Sequence, residues 1–221
     1  MALPRGSLFL IIPSLGYSQE KTESFEGVIT YLVEIEYPET YEYEWYINQK
    51  YRDTMLLYLS KNGDYLRSFI NSDKMGWDFL SYTHSNNMAY AKWRNIDTLY
   101  WMLGSDTSIK LKSMRMGGDT TILGYECKSI VIESYFPPEK LNLGTTLYYG
   151  GYPKVNPELF RNHKDSFFDI VYAKSKSQFL IMVQDMGYFI ITYTAVEIKE
   201  KKLNPSFFIP PKNLPRKGLG E

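Results

Sequence analysis

The sequence predicts a mainly β protein: one large, strongly curved antiparallel sheet, a half-barrel, with one or two short helices. Composition is the first ground, since 20 tyrosines and an aromatic share of 16% stand beside many Val, Ile and Thr in short runs, the residues that fit a pleated, half-buried surface. Pattern is the second: apolar and polar residues alternate with period two in segment after segment, each closed by Gly, Asn or Asp. Length is the third. A chain of 221 residues without internal repeat or low-complexity linker fits one all-β unit of about 200 to 250 residues, and so many adjacent strands curl rather than lie flat.

Residues 1–19 read as a signal peptide, with Arg5 ahead of the apolar run Leu8 to Leu15 and small or polar residues before Glu20. The run is far shorter than the roughly 20 residues of a transmembrane helix and contains Pro13. The expectation is an exported protein with no transmembrane segment after cleavage, a single β-rich domain over 20–211 and a flexible tail over 212–221. Lys+Arg and Asp+Glu both total 25, so no net charge and no basic track draws the chain to nucleic acid. A single cysteine forms no intramolecular disulfide, which leaves stability to packing.

The elements follow in order. In "FEGVITYLVEIEY" alternation places Ile29, Tyr31, Val33, Ile35 and Tyr37 on one face and Thr30, Glu34 and Glu36 on the other. The Tyr-rich, acidic stretch "PETYEYEWYINQKYRD" reads equally as a short helix or an irregular crossing. "MLLYLSKNGDYLRSFIN" predicts a hairpin with Asn62-Gly63 in a type I′ turn. A meander continues through "WDFLSYT", "MAYAKWR", "TLYWML" and "SIKLKSMRM", turns at "GGD", and enters the long strand "TTILGYECKSIVIES". Four prolines, Pro137, Pro138, Pro153 and Pro157, predict a loop-rich stretch over 135–167, in which Asn156 caps a short helix "PELFRNHK". Two strands, "SQFLIMVQDM" and "GYFIITYTAVEIKEKKL", close the domain.

Few residues carry reaction chemistry. Nucleophilic catalysis needs a Ser or Cys, a base and an orienting group, but Cys127 sits in a β-branched run, and the two histidines, His84 and His163, lie in no recognisable motif. No catalytic residue, metal ligand or cofactor is expected, because one Cys and two distant His make no zinc site. Glu34, Glu36, Glu42 and Glu44 alternate with apolar residues as solvated strand faces do; a hydrolase with an acid pair among them is the distant alternative. The glycines of "RMGGDT" and "YYGGYP" read as turns. The aromatics remain. On the concave side of a curled sheet they would line an apolar cavity with polar tips, and Tyr31, Val33, Ile35, Trp93, Trp101 and Tyr193 are the candidate ligand-binding residues.

Within "TTILGYECKSIVIES", Ile122, Gly124, Tyr125 and Cys127 resemble the I-x-G-Y-x-C signature of uncharacterised secreted families of Gram-negative bacteria, among them the GLPGLI family. The segments "PKVNPELFRNHK" and "AVEIKEKKLNPSFFIPP" are similar to the closing segments of that group, while the loop motif that names GLPGLI is absent between Phe136 and Phe160, which points to a neighbouring branch. These families are similar in turn to the LolA and LolB lipoprotein carriers. The resemblance implies a periplasmic or outer-envelope protein, non-enzymatic, that binds a hydrophobic small molecule, lipid or lipoprotein acyl chain in the concave face of its sheet. The alternative partner is another envelope protein, met through a sheet edge or an apolar patch.

Overall fold

The computed structural model describes residues 23–38, 47–48, 51, 53–70 and 76–219. The expected signal peptide, Glu42, Glu44, Trp45 and most of the undecided stretch 38–53 lie outside these residues. Thirteen strands form one sheet: β1 (Gly27–Glu36), β2 (Thr54–Leu59), β3 (Tyr65–Ile70), β4 (Trp77–Thr83), β5 (Met88–Trp93), β6 (Leu99–Leu103), β7 (Lys110–Met116), β8 (Thr120–Ile122), β9 (Tyr125–Phe136), β10 (Leu141–Lys154), β11 (Ser177–Asp185), β12 (Ile190–Glu200) and β13 (Arg216–Gly218). Their order is β13-β6-β5-β4-β3-β2-β1-β12-β11-β10-β9-β7, with β8 beside β9.

Among the described residues the chain enters the sheet at its middle, in β1. From β1 it meanders outward to β6, crosses to the opposite edge at β7, and works inward until β12 pairs with β1. That crossing fixes the curvature. Ten strand spacings separate β6 from β7, about 48 Å if the sheet were flat, yet seven residue steps from Leu103 to Lys110 reach at most about 25 Å. The sheet is therefore rolled into an open half-barrel, as the sequence predicts, and the meander is interrupted where the sequence reads it as continuous.

Alternation holds where it was clearest. On β1, Ile29, Tyr31 and Val33 are buried and Leu32 and Glu34 are exposed. The inner face carries one continuous core that joins Met55, Phe69 and Tyr82 on one wing to Ile130, Ile132 and Leu147 on the other. A smaller apolar cluster lies on the outer face, where Leu203 and Phe208 strap across Val28, Leu56, Tyr58 and Leu66.

Five local expectations are corrected. The β2–β3 hairpin forms, but through a three-residue loop: Ser60 N–H donates to the Asp64 carbonyl at 2.9 Å, and only Gly63 of the pair has positive φ, +87°. The Ser60 hydroxyl accepts from the N–H groups of Asn62 and Asp64 at 3.2 and 3.1 Å, which favours this longer loop over type I′. "GGD" is no hairpin turn, since β7 and β8 lie in line along β9 with residues 117–119 as a break. The tight turn is Leu123-Gly124 (φ +51° and +80°), the double positive φ of type I′. The loop-rich stretch contains the 14-residue strand β10, in which "GGYP" is a bulge against β11. The tail expected over 212–221 supplies β13, which pairs with β6 in parallel, the one departure from antiparallel order.

The helix expected over "PELFRNHK" is a 3-10 turn, Pro157–Phe160, capped by Asn156 Oδ1, which accepts from Glu158 N–H at 3.1 Å. The α-helix comes later, as α1 (Phe168–Ser175). Its sequence FDIVYAKS buries Phe168, Val171 and Tyr172, spaced i, i+3, i+4 as one helical face requires. Val155 N–H donates to Lys176 carbonyl at 2.9 Å, closing residues 155–176 into a loop that fills the concave side with Phe160, His163, Phe167, Phe168 and Tyr172.

Candidate functional site

Strand β3 sets the site. Its period of two sends Tyr65, Arg67 and Phe69 to the inner face, where Tyr65 and Phe69 are buried in the core. Arg67 is the exception to that face. Its guanidinium carbon lies 5.3 Å from the Tyr65 ring centroid and 5.5 Å from that of Phe168, within cation–π range. Its Nε is buried with no hydrogen-bond partner, and among the described residues no carboxylate is ion-paired with it. Asp165 lines the space on the β4–β6 side of Arg67, where burial pushes its carboxyl pKa up and the Arg67 charge draws it back.

The Arg67 charge reaches six groups on the concave side, with an effect smaller than that of their burial. It pulls down the proton affinities of Tyr31, Tyr65, Tyr172, Tyr193, His163 and Asp165. Burial is the larger effect for each: it pushes the tyrosines and Asp165 up and holds His163 down to about 3. The histidine is thus neutral at ordinary pH, hydrogen-bonded through Nε2 to the Tyr65 hydroxyl at 3.0 Å.

Two cavities flank Arg67. One, of about 170 Å³, lies toward β4–β6 and is walled by Trp77, Leu80, Tyr90, Tyr100 and Trp101. The other, of about 180 Å³, lies toward β10 and β11 and is walled by Ile109, Leu143, Leu147, Met182 and Met186. Arg67, Ser166 and Phe168 line both. Ser166 and Phe167 hold left-handed backbone at φ +52° and +61°, a conformation unfavourable for a residue as bulky as Phe.

The six sequence candidates do not converge on this cleft. Trp101 lines the first cavity. Tyr31, Val33 and Tyr193 are buried in the core between the wings, and Ile35 packs against it. The Trp93 ring centroid lies 4.1 Å from that of Trp77, with the planes tilted by 32°, and 5.1 Å from that of Tyr100 in an edge-to-face contact. Alternation identifies the inward face but not whether another segment fills it, and here residues 155–176 do so. Arg67 was the residue sequence reading missed. Its signal was a charge in register with Tyr65 and Phe69, obscured because Leu66 and Ile70 make the other face apolar too.

The chemistry elsewhere is sparse. A wider depression, about 680 Å³, is lined by Phe25 and Tyr152 together with Glu23, Lys61, Lys154, Glu200 and Lys202 among others, so charges of both signs meet in it beside two rings. Cys127 is 1% exposed, and its thiol donates to the Tyr125 carbonyl at 3.4 Å. Among the described residues no three His, Cys, Asp or Glu side chains gather as a metal site, and no helix is long and apolar enough to cross a membrane.

No family model and no curated protein sequence matches the chain. Among solved structures, the Mycobacterium tuberculosis lipoprotein LppX is similar, with a TM-score of 0.36 and 9% identity over 81% of this chain and 89% of that one. So low a score leaves the site to be read from its own geometry.

Proposed function

We propose that the protein is a non-enzymatic, exported binder of a hydrophobic or amphiphilic molecule, taken up in the cleft between the curved sheet and residues 165–168. The observation that carries this reading is the pair of apolar-walled cavities that share Arg67, Ser166 and Phe168 in their linings. Together they reach only the lower end of the roughly 300–1,000 Å³ usual for small-molecule sites, which favours one slender chain over a bulky lipid. The leader-like residues 1–19 and the resemblance of Ile122 to Cys127 to secreted envelope families support a setting in a bacterial envelope, where such molecules are abundant.

The test is native mass spectrometry and organic extraction of the full-length protein purified from its own envelope. A stoichiometric co-purifying amphiphile, lost on Trp101→Glu or Leu147→Glu, is the expected result. A ligand-free protein that also fails to take up added detergent-free fatty acid or alcohol overturns the reading.

A further inference from the structure

We infer that the cleft selects an anionic single-chain amphiphile, with its carboxylate or phosphate head on the Arg67 guanidinium and its chain along the apolar walls. The inference rests on the binding reading above and adds the head-group chemistry. An isolated charge on an inward strand face costs several kcal/mol unless something compensates it. The rings of Tyr65 and Phe168 offset part of that cost, but a ring face accepts no hydrogen bond from Nε, which remains buried without a partner.

The neighbours do not supply the missing acceptor. Asp165 lines the first cavity beside Arg67 but forms no ion pair with it, the Tyr65 hydroxyl is engaged with His163, and the Tyr31 hydroxyl with the Phe179 carbonyl at 2.7 Å. A guanidinium fork matches a carboxylate or phosphate with two parallel N–H···O bonds. Because Arg67 lines both cavities, an anion seated there leaves its chain apolar surface on either side. The ends of that space differ, with aromatic rings toward β4–β6 and the flexible thioethers of Met182 and Met186 toward β11; methionine adapts to the irregular outline of a chain better than fixed rings do.

The experiment titrates dodecanoate, dodecanol and acetate at pH 8 into the full-length protein, read by calorimetry and by the fluorescence of Trp77 and Trp101, which line the cleft. Dodecanoate is expected to bind about tenfold or more tightly than dodecanol, the scale of one charge-assisted hydrogen bond, and acetate alone weakly or not at all. Arg67→Met should abolish the preference, bringing the affinity for the acid down to that of the alcohol in the same variant, and Arg67→Lys should keep part of the preference. Equal binding of acid and alcohol to the wild-type protein overturns the head-group assignment while leaving the apolar cleft standing. A preference that survives in Arg67→Met overturns the role of Arg67. Tight acetate binding would show a free-anion site instead, and no binding of either chain overturns both readings.

Discussion

The Tyr65 hydroxyl lies 3.0 Å from His163 Nε2, and the His163 ring stacks on Tyr82 at 4.0 Å with 10° between planes. Through this contact the loop 155–176 is fastened to strands β3 and β4. His163 is fully buried, and desolvation first, then the Arg67 charge, holds its pKa at about 3 against the ordinary 6.5. A base with a lowered folded pKa contributes stability above 6.5 that is lost as pH falls toward 3, because the unfolded chain binds the proton first. Below pH 6.5 wild-type stability should therefore fall more steeply than that of His163→Gln, by about 1.4 kcal/mol per pH unit. Urea unfolding at several pH values between 7.5 and 4.5 measures it; parallel slopes would refute the buried neutral histidine.

A second polar chain crosses the core. The Tyr172 hydroxyl donates to Gln178 Oε1 at 2.6 Å, Gln178 Nε2 donates to the Tyr31 hydroxyl at 3.4 Å, and that hydroxyl donates to the Phe179 carbonyl at 2.7 Å. Tyr31→Phe removes the middle link and leaves a buried carbonyl and amide short of a partner. The expected loss is about 1–3 kcal/mol, seen as a lower denaturation midpoint with unchanged denaturant dependence. A loss below about 0.5 kcal/mol would mean that the network relaxes around the phenyl ring.

The sheet was legible because its strands carry their own pattern: β1 and β12 alternate over much of their length, and β11 has a five-residue apolar run from Phe179 to Val183. What escaped depends on partners distant in sequence. β10 is hidden by Gly150, Gly151 and Pro153, which a strand tolerates at the bulge opposite Ser177; the Ser177 hydroxyl donates to the Gly150 carbonyl there at 2.6 Å. α1 is short, and the spacing of its buried Phe168, Val171 and Tyr172 is masked in the sequence by the neighbouring apolar Ile170 and Ala173. Arg67 was invisible for the same reason, since its meaning depends on Phe168 and Ser166, about a hundred residues away in the chain.

The β8–β9 turn was half legible. Gly124 is a residue type that favours positive φ, but its partner Leu123, at φ +51° and 46% exposed, carries no such signal. A leucine is unfavourable there, whereas asparagine adopts left-handed backbone readily. Leu123→Asn should stabilise the protein by about 0.5–1 kcal/mol, measured by thermal or urea unfolding. A destabilised variant would show that the Leu123 side chain has a packing role.

Cys127 packs rather than reacts. Burial pushes its thiol pKa up, and the Gly150 position sits so close that a Cβ there would lie 3.5 Å from Sγ. Labelling of the folded protein by a thiol reagent should be slow and should accelerate on unfolding. Cys127→Ala should fold and lose about 1 kcal/mol, at the low end for removal of a small buried group. Rapid labelling of the native protein would contradict this packing.

Arg67 separates stability from binding. In the ligand-free protein its guanidinium is partly desolvated, without an ion pair, and short of a partner at Nε. Replacing such a charge with an apolar side chain of similar length is often neutral or stabilising, although the ring contacts to Tyr65 and Phe168 are lost. Arg67→Met should therefore leave ligand-free stability unchanged or raise it by about 1 kcal/mol, while removing the extra stability that dodecanoate confers on the wild type through linkage. Thermal unfolding of both proteins with and without dodecanoate tests the two halves together. A ligand-free loss of more than about 2 kcal/mol would mean that the guanidinium holds the fold through contacts of its own, the signature of a removed structural partner. Opposite movement of stability and binding marks a residue retained for its ligand at the expense of the empty protein.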